Sequence, residues 1–150
     1  MMGKETKEML QGFIEEICRV LEIDTPEVHF DTSHFQTTTM LAQCSSDGKE
    51  IFLKEFEKPN PDVLFAAAHE LRHIWQLQTD EEKFFSDYKT ADECGSVDVY
   101  NQQEAEVDAN AFAVIAMVDM CRLKGELRGM STKVKLMMER RIDEIVEEMR

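Results

Sequence analysis

Two of the four histidines in this 150-residue chain, His69 and His73, stand four positions apart in AAHELRHIWQ, residues 67–76. On an α-helix that spacing places both imidazoles on one face, a turn apart, so both rings can reach a single point in space. The flanking sequence supplies the helix. Asn60, Pro61 and Asp62 form a start signal: a capping side chain, a proline at the first helical position and an acid in the first turn. A helix is predicted from there to about Leu77, where the polar run QTDEEK takes over. A fold that uses the histidine pair must bring further ligands to it from elsewhere in the chain.

Zinc binds imidazole nitrogen at roughly 2.0–2.1 Å and prefers four ligands, one of them left to water at a catalytic site. Glu70, directly after the first histidine, can lean toward that water and take its proton as the water attacks a carbonyl. This is the HExxH pattern. It makes His69 and His73 candidate ligands and Glu70 the candidate general base. The positions after His73 read IWQLQTD, which excludes the extended form that continues to a glycine and a third histidine. His29 and His34 lie far upstream and are expected to be ordinary strand or loop residues.

A third ligand is offered by QEAEVDANAFAVIAM, residues 103–117. Ala105, Ala109, Ala111, Ala113 and Ala116 are small enough for a helix here to pack closely against another. Glu106 shares a face with Asn110, Ala113 and Met117, which turns from polar to apolar within one turn. Glu104 shares a face with Asp108, Ile115 and Asp119 and reads as more solvated. Spacing therefore favours Glu106 over Glu104 as the third ligand, without deciding it.

The rest of the chain reads as one α+β domain, 1–150. Met9, Leu10, Phe13, Ile14, Ile17, Val20 and Leu21 recur at helical spacing over 5–22. DG at 47–48 separates two β-prone runs, predicting a hairpin near 38–44 and 50–55, with a further strand near 27–31. Residues 79–100 are expected to be irregular. A helix is predicted from about Gln102 to Leu123, and a last one from Ser131 or Thr132 with a stripe of Val134, Met138, Ile142, Ile145 and Met149. The expected architecture is a small, mostly antiparallel sheet packed against the HExxH helix and a second, glutamate-bearing helix, with amphipathic helices at both termini.

Composition narrows the partners. A net charge of −14 opposes direct binding to nucleic acid, which depends on neutralising phosphates with Lys and Arg. No run of eighteen apolar residues exists to cross a membrane, and the charged amino terminus, MMGKETKEML, does not read as a secretory signal. Cys18, Cys44, Cys94 and Cys121 include no CxxC pair, so reduced thiols and a cytoplasmic setting are expected.

HELRH followed by EVDANAFA resembles the gluzincin-type zinc peptidases, and most closely the small ImmA/IrrE-like peptidases. Those families pair HExxH with a segment of the form E-x-E-A-(D/N)-x-F-A, onto which Glu106, Asp108, Ala109, Asn110, Phe112 and Ala113 fall. The likeness covers roughly residues 50–120. It implies a zincin-like fold, Zn2+ held by His69, His73 and Glu106, and Asn110 supporting a ligating imidazole. It also implies hydrolysis of a protein or peptide substrate, a transcriptional repressor being the kind such enzymes cut. The chain shows no helix-turn-helix of its own, so a repressor would be a separate molecule. Two positions depart from the pattern: Arg72 stands where glycine is usual, and Asp108 where glutamate is usual. Arg72 is expected on the outer face of its helix and Trp75 in the core or a pocket wall.

A peptidase of this kind also needs a donor for the developing oxyanion, and Tyr88, Tyr100, His29 and His34 are the candidates. In zinc peptidases an edge strand beside the metal helix takes up extended substrate by backbone hydrogen bonds, a role open to Ile51–Phe56. Two other readings stand against the enzyme: a metal-binding regulatory or interaction protein with little hydrolysis, and a purely structural helical domain. The presence of Glu70 favours catalysis, because zinc binding alone does not require that carboxylate.

Overall fold

The apolar stripe near the amino terminus folds as helix α1, Lys4–Leu21, burying Leu10, Phe13, Ile14, Ile17, Cys18 and Leu21. In the computed structural model, which describes residues 3–37, 39–58, 60–122 and 129–149, the chain divides into two compact units, Met1–Trp75 and Gln76–Arg150.

The first unit holds α1, three short strands and the first part of α2. The strands are β1 (Glu27–His29), β2 (Ala42–Cys44) and β3 (Glu50–Leu53), in the order β1-β3-β2. β2 and β3 form the expected hairpin, antiparallel with Ala42 opposite Leu53 and Cys44 opposite Ile51. The DG turn is built as its sequence suggests. Gly48 has φ of +72°, and a Cβ there would stand 3.3 Å from a methyl of Ile74, so both backbone and space ask for glycine.

β1 pairs parallel to β3, making the sheet mixed rather than mostly antiparallel. The physical reason is connectivity. The stretch from residue 30 to 41 is long enough to carry the chain across the sheet, and β3 then lies between its neighbours. Ile51–Phe56 was expected to offer an edge. Its strand portion is central, with hydrogen-bonding partners on both sides, and β2 is an edge strand instead. Ile51 and Leu53 are fully buried on one face of the sheet, in the same unit as the buried faces of α1 and the start of α2.

Helix α2 spans Pro61–Phe85, longer than predicted. Asn60 caps it as expected, its side-chain oxygen accepting from the Asp62 amide at 2.9 Å. Helical geometry breaks at Asp80 (φ −160°, ψ 77°), whose carboxylate accepts from the Lys83 amide at 3.1 Å. Asp80 thus caps a fresh turn. The polar run lacks an apolar stripe, yet its Glu and Lys are good helix formers and it begins with a cap, so it is helical where irregular chain was expected.

The second unit continues with α3 (Ala91–Cys94), α4 (Val97–Asn101), α5 (Glu104–Cys121) and α6 (Thr132–Glu148). Thr90 and Glu93 form a reciprocal capping box and Ser96 caps α4, so local polar bonds organise most of a stretch that has no hydrophobic period. The predicted end of the α5 helix at Leu123 lies outside the described residues. α6 begins at its Ser131 cap. Val134, Met138 and Ile145 of its stripe are buried, Ile142 is half-buried, and Met149, past the last helical residue, is exposed. Val107 packs with Val134 and Met138 to join α5 and α6. Among the described residues no helix is long and apolar enough to cross a membrane.

Candidate metal centre

Within the first unit, α2 sets His69 and His73 one turn apart. Their Nε2 atoms face each other at 3.0 Å, with the rings edge to face. Two nitrogens held ~2.05 Å from one tetrahedral ion would stand about 3.3 Å apart, so the pair fits a shared ion with a shift of tenths of an ångström. With each proton on Nδ1, both Nε2 lone pairs point into the same space. His73 is buried and His69 half-buried, as an ion bound at the end of an accessible cleft would need.

That cleft, about 270 Å³, is lined by His69 and Glu70 together with Leu41, Ala42, Phe65 and Ala66. Its wall therefore includes the edge strand β2, and its floor the face of α2 that carries the histidine and the candidate base. Glu70 is half-buried, and the Cys44 thiol, on the core-facing side of β2, lies 3.6 Å from its Oε2. A sulfhydryl is a weak donor, so this contact is a weak one.

Arg72 is not on an outer face. It is buried to 4% exposure, its guanidinium stacked 3.6 Å from the centroid of the half-buried Trp75 ring. A guanidinium over an aromatic face is the arrangement that lets arginine enter an apolar layer at low cost. Trp75 is accordingly a packing platform.

Within the second unit, Glu106 is 2% exposed, whereas Glu104 is exposed and pairs with Lys83 at 3.6 Å. Burial thus separates the two glutamates in the direction that spacing favoured. The Tyr88 hydroxyl donates to Glu106 Oε2 at 2.9 Å, and Tyr88 and Tyr100 oxygens are 2.6 Å apart. Since the single Tyr88 proton goes to the carboxylate, Tyr100 is the donor in the second bond. Burial, then the charge of Glu106 and the Tyr100 hydroxyl, push the Tyr88 phenol above its usual range, so it stays a donor. Tyr88, one of four candidates for an oxyanion donor, is thus engaged with the carboxylate. His29 and His34 lie in β1 and the turn after it, His29 bonded to Glu50 at 3.1 Å.

Asn110 is buried one turn after Glu106. Asp108, also fully buried, accepts from Gln76 Nε2 at 2.8 Å and Arg141 Nε at 2.8 Å, and Gln76 donates as well to the Ala105 carbonyl at 2.9 Å. Burial opposes the Arg141 charge, but Asp108, then Glu144 and Glu148, more than offset it and hold the guanidinium firmly charged. Gln76 and Arg141 were not singled out from the sequence. The signal was present: Arg141 lies three residues past Met138 and four before Ile145, on the apolar stripe of its helix, while Asp108 interrupts an alanine-rich one. Opposite charges at two apolar positions are candidates for each other.

All four cysteines are free thiols, and burial pushes the Cys18 thiol up to about 11, which makes it unreactive. Comparison of the chain with protein-family models, with curated proteins and with solved structures finds no match.

Proposed function

We propose that His69 and His73 of the first unit and Glu106 of the second hold one zinc ion, and that the protein is a zinc-dependent peptidase acting on a protein or peptide substrate. The donors are two imidazole nitrogens and a carboxylate oxygen, a set zinc takes at hydrolytic sites. The observation that carries the reading is the convergence of the two Nε2 atoms at 3.0 Å beside a glutamate that lines the same cleft. A helix that merely displayed histidines to solvent would not bury His73 and half-bury His69 with a carboxylate at the cleft wall.

When bound, zinc supplies Lewis acidity, lowering the pKa of water and polarising a carbonyl. Glu70 accepts the proton from the attacking water and passes it to the departing amine nitrogen as the C–N bond breaks. β2, an edge strand, offers backbone N–H and C=O groups to an extended substrate, and the apolar wall of Leu41, Ala42, Phe65 and Ala66 receives a side chain beside the scissile bond. Tyr88, with Tyr100 behind it, holds the Glu106 carboxylate in one orientation, as outer partners of metal ligands do.

The alternative is a zinc-binding interaction protein with little hydrolysis, and Glu70→Gln separates the two. The variant should retain the metal content of the wild type while cleavage of any substrate falls by about 10²–10⁴, the range typical of a general base. Equal cleavage by both proteins would remove Glu70 from the chemistry. A His69→Ala chain that takes up as much zinc as the wild type would remove the centre itself.

A further inference from the structure

The outer face of the sheet carries a second set of donors. In the parallel pair, Glu27 stands opposite Glu50 and His29 opposite Phe52. Side chains alternate along a strand, so these four project from one face, opposite the buried Ile51 and Leu53. Two carboxylates opposed on neighbouring strands repel and weaken the pairing. An imidazole lies against both. Nε2 of His29 is 3.1 Å from Glu50 Oε1 and 3.6 Å from Glu27 Oε1. The ring is stacked on Phe52, with centroids 5.0 Å apart and planes 24° apart, and His34 meets the same phenyl ring edge-on at 4.5 Å. The stack limits rotation of the imidazole and fixes where Nε2 points.

We propose that Glu27, His29 and Glu50 form a second metal site that takes a divalent transition ion of the zinc class and clamps β1 to β3. Each residue offers a donor atom, and the three lie within 4.8 Å of one another. A nitrogen donor from imidazole selects zinc, copper or nickel over magnesium and calcium, which favour all-oxygen shells. Side-chain exposures of 72% for Glu27 and 43% for Glu50 leave the remaining coordination positions to water. An ion here would turn the carboxylate repulsion into attraction to a common centre. It would also tie residues 21 positions apart in the chain, so the link would restrain the unfolded state as well.

The site does not depend on the peptidase reading, and the test keeps them apart. Chelator-treated full-length protein is titrated with zinc chloride, alongside His29→Ala and His69→Ala chains. Two zinc ions are expected in the wild type and one in each variant. Glu27→Gln and Glu50→Gln should each weaken the His29-dependent event about tenfold or more. In the His69→Ala background, zinc should shift the ring resonances of His29 and raise the thermal midpoint, and His29→Ala should abolish the midpoint shift. One ion in the wild type, lost in His29→Ala but not in His69→Ala, would keep this site and remove the first. Equal zinc uptake by wild type and His29→Ala, with His29 resonances unmoved, would overturn the proposal. The resonances decide even if His29→Ala fails to fold.

Discussion

Helices α1 and α5 are both 18 residues long and place their charges in opposite ways. α1 turns its ionic side chains outward. Lys4 and Glu8 approach to 3.9 Å at 89% and 66% side-chain exposure, and Glu16 bonds Arg19 in the open. α5 buries Glu106 at 2% and Asp108 at 0% exposure, with Asn110 beside them, among buried neighbours that are otherwise alanine and large apolar residues. Amphipathic packing alone accounts for α1. It does not account for α5, because a carboxylate taken out of water costs several kcal/mol unless charge and hydrogen bonds offset it. A polar residue on the buried face of a helix must be held by something, and what holds it points to its role. For Asp108 that is Gln76 and Arg141, a structural tie. For Glu106 it includes Tyr88, whose hydroxyl donates to the carboxylate at 2.9 Å, as the ligand role proposed above would require.

The sharpest way to break this contrast is to strip Asp108 of its charged partner. Arg141→Met removes the Nε bond at 2.8 Å and leaves a carboxylate that is 1% exposed. Loss of about 3 kcal/mol is expected, at the lower end for a broken buried pair because Arg141 keeps 15% exposure. Urea unfolding with an unchanged slope would read it. A loss below about 1 kcal/mol would mean that the neighbouring amide suffices. The double change Asp108→Leu with Arg141→Met should recover much of the loss, since replacing a whole buried pair by apolar side chains is often neutral.

A smaller effect tests the other acid of α5. Tyr88→Phe deletes the hydroxyl that donates to Glu106 and keeps the ring that packs on Phe85 at 5.2 Å between centroids. Zinc affinity, measured by competition with a chromogenic chelator, should fall about tenfold, and the metal-free protein should lose about 1–2 kcal/mol because a buried carboxylate loses a donor. An unchanged affinity would show that other partners alone orient the carboxylate, and would sever Tyr88 from the proposed centre.

Those two residues also mark how far the sequence could be read. Helix starts at Asn60 and Ser131, the hairpin at Asp47 and Gly48, and the more solvated position of Glu104 relative to Glu106 were legible because each rests on local chemistry: a cap, a positive φ, a change of polarity around one turn. The parallel pairing of β1, the central place of β3 and the burial of Arg72 were not. Strand order depends on how a connection crosses a sheet, which no period encodes. Arg72 was assigned by charge, but stacking on Trp75 lets a planar guanidinium enter an apolar layer. The helical turns between residues 81 and 101 escaped because capping bonds, not an apolar stripe, organise them.

The smallest effect belongs to α1, and its smallness is the point. The Arg19 guanidinium, through a hydrogen bond and then its charge, holds the Glu16 carboxyl below its usual range. A carboxyl lowered in the folded state adds stability above its unfolded pKa and loses it as pH falls through the folded value. Taken alone, that sign would make the pair an acid-sensitive support. Both side chains are open to water, at 45% and 71% exposure, and solvent and salt screen such pairs until little remains. Glu16→Gln should therefore leave the thermal midpoint unmoved at neutral pH and leave the acid limb of the stability curve, below about pH 5, superimposed on that of the wild type. A variant that unfolds more readily at neutral pH, with the gap closing on acidification, would show that the exposed pair contributes after all. The division between a helix that spends charge on solvent and one that spends it on partners would then be one of degree.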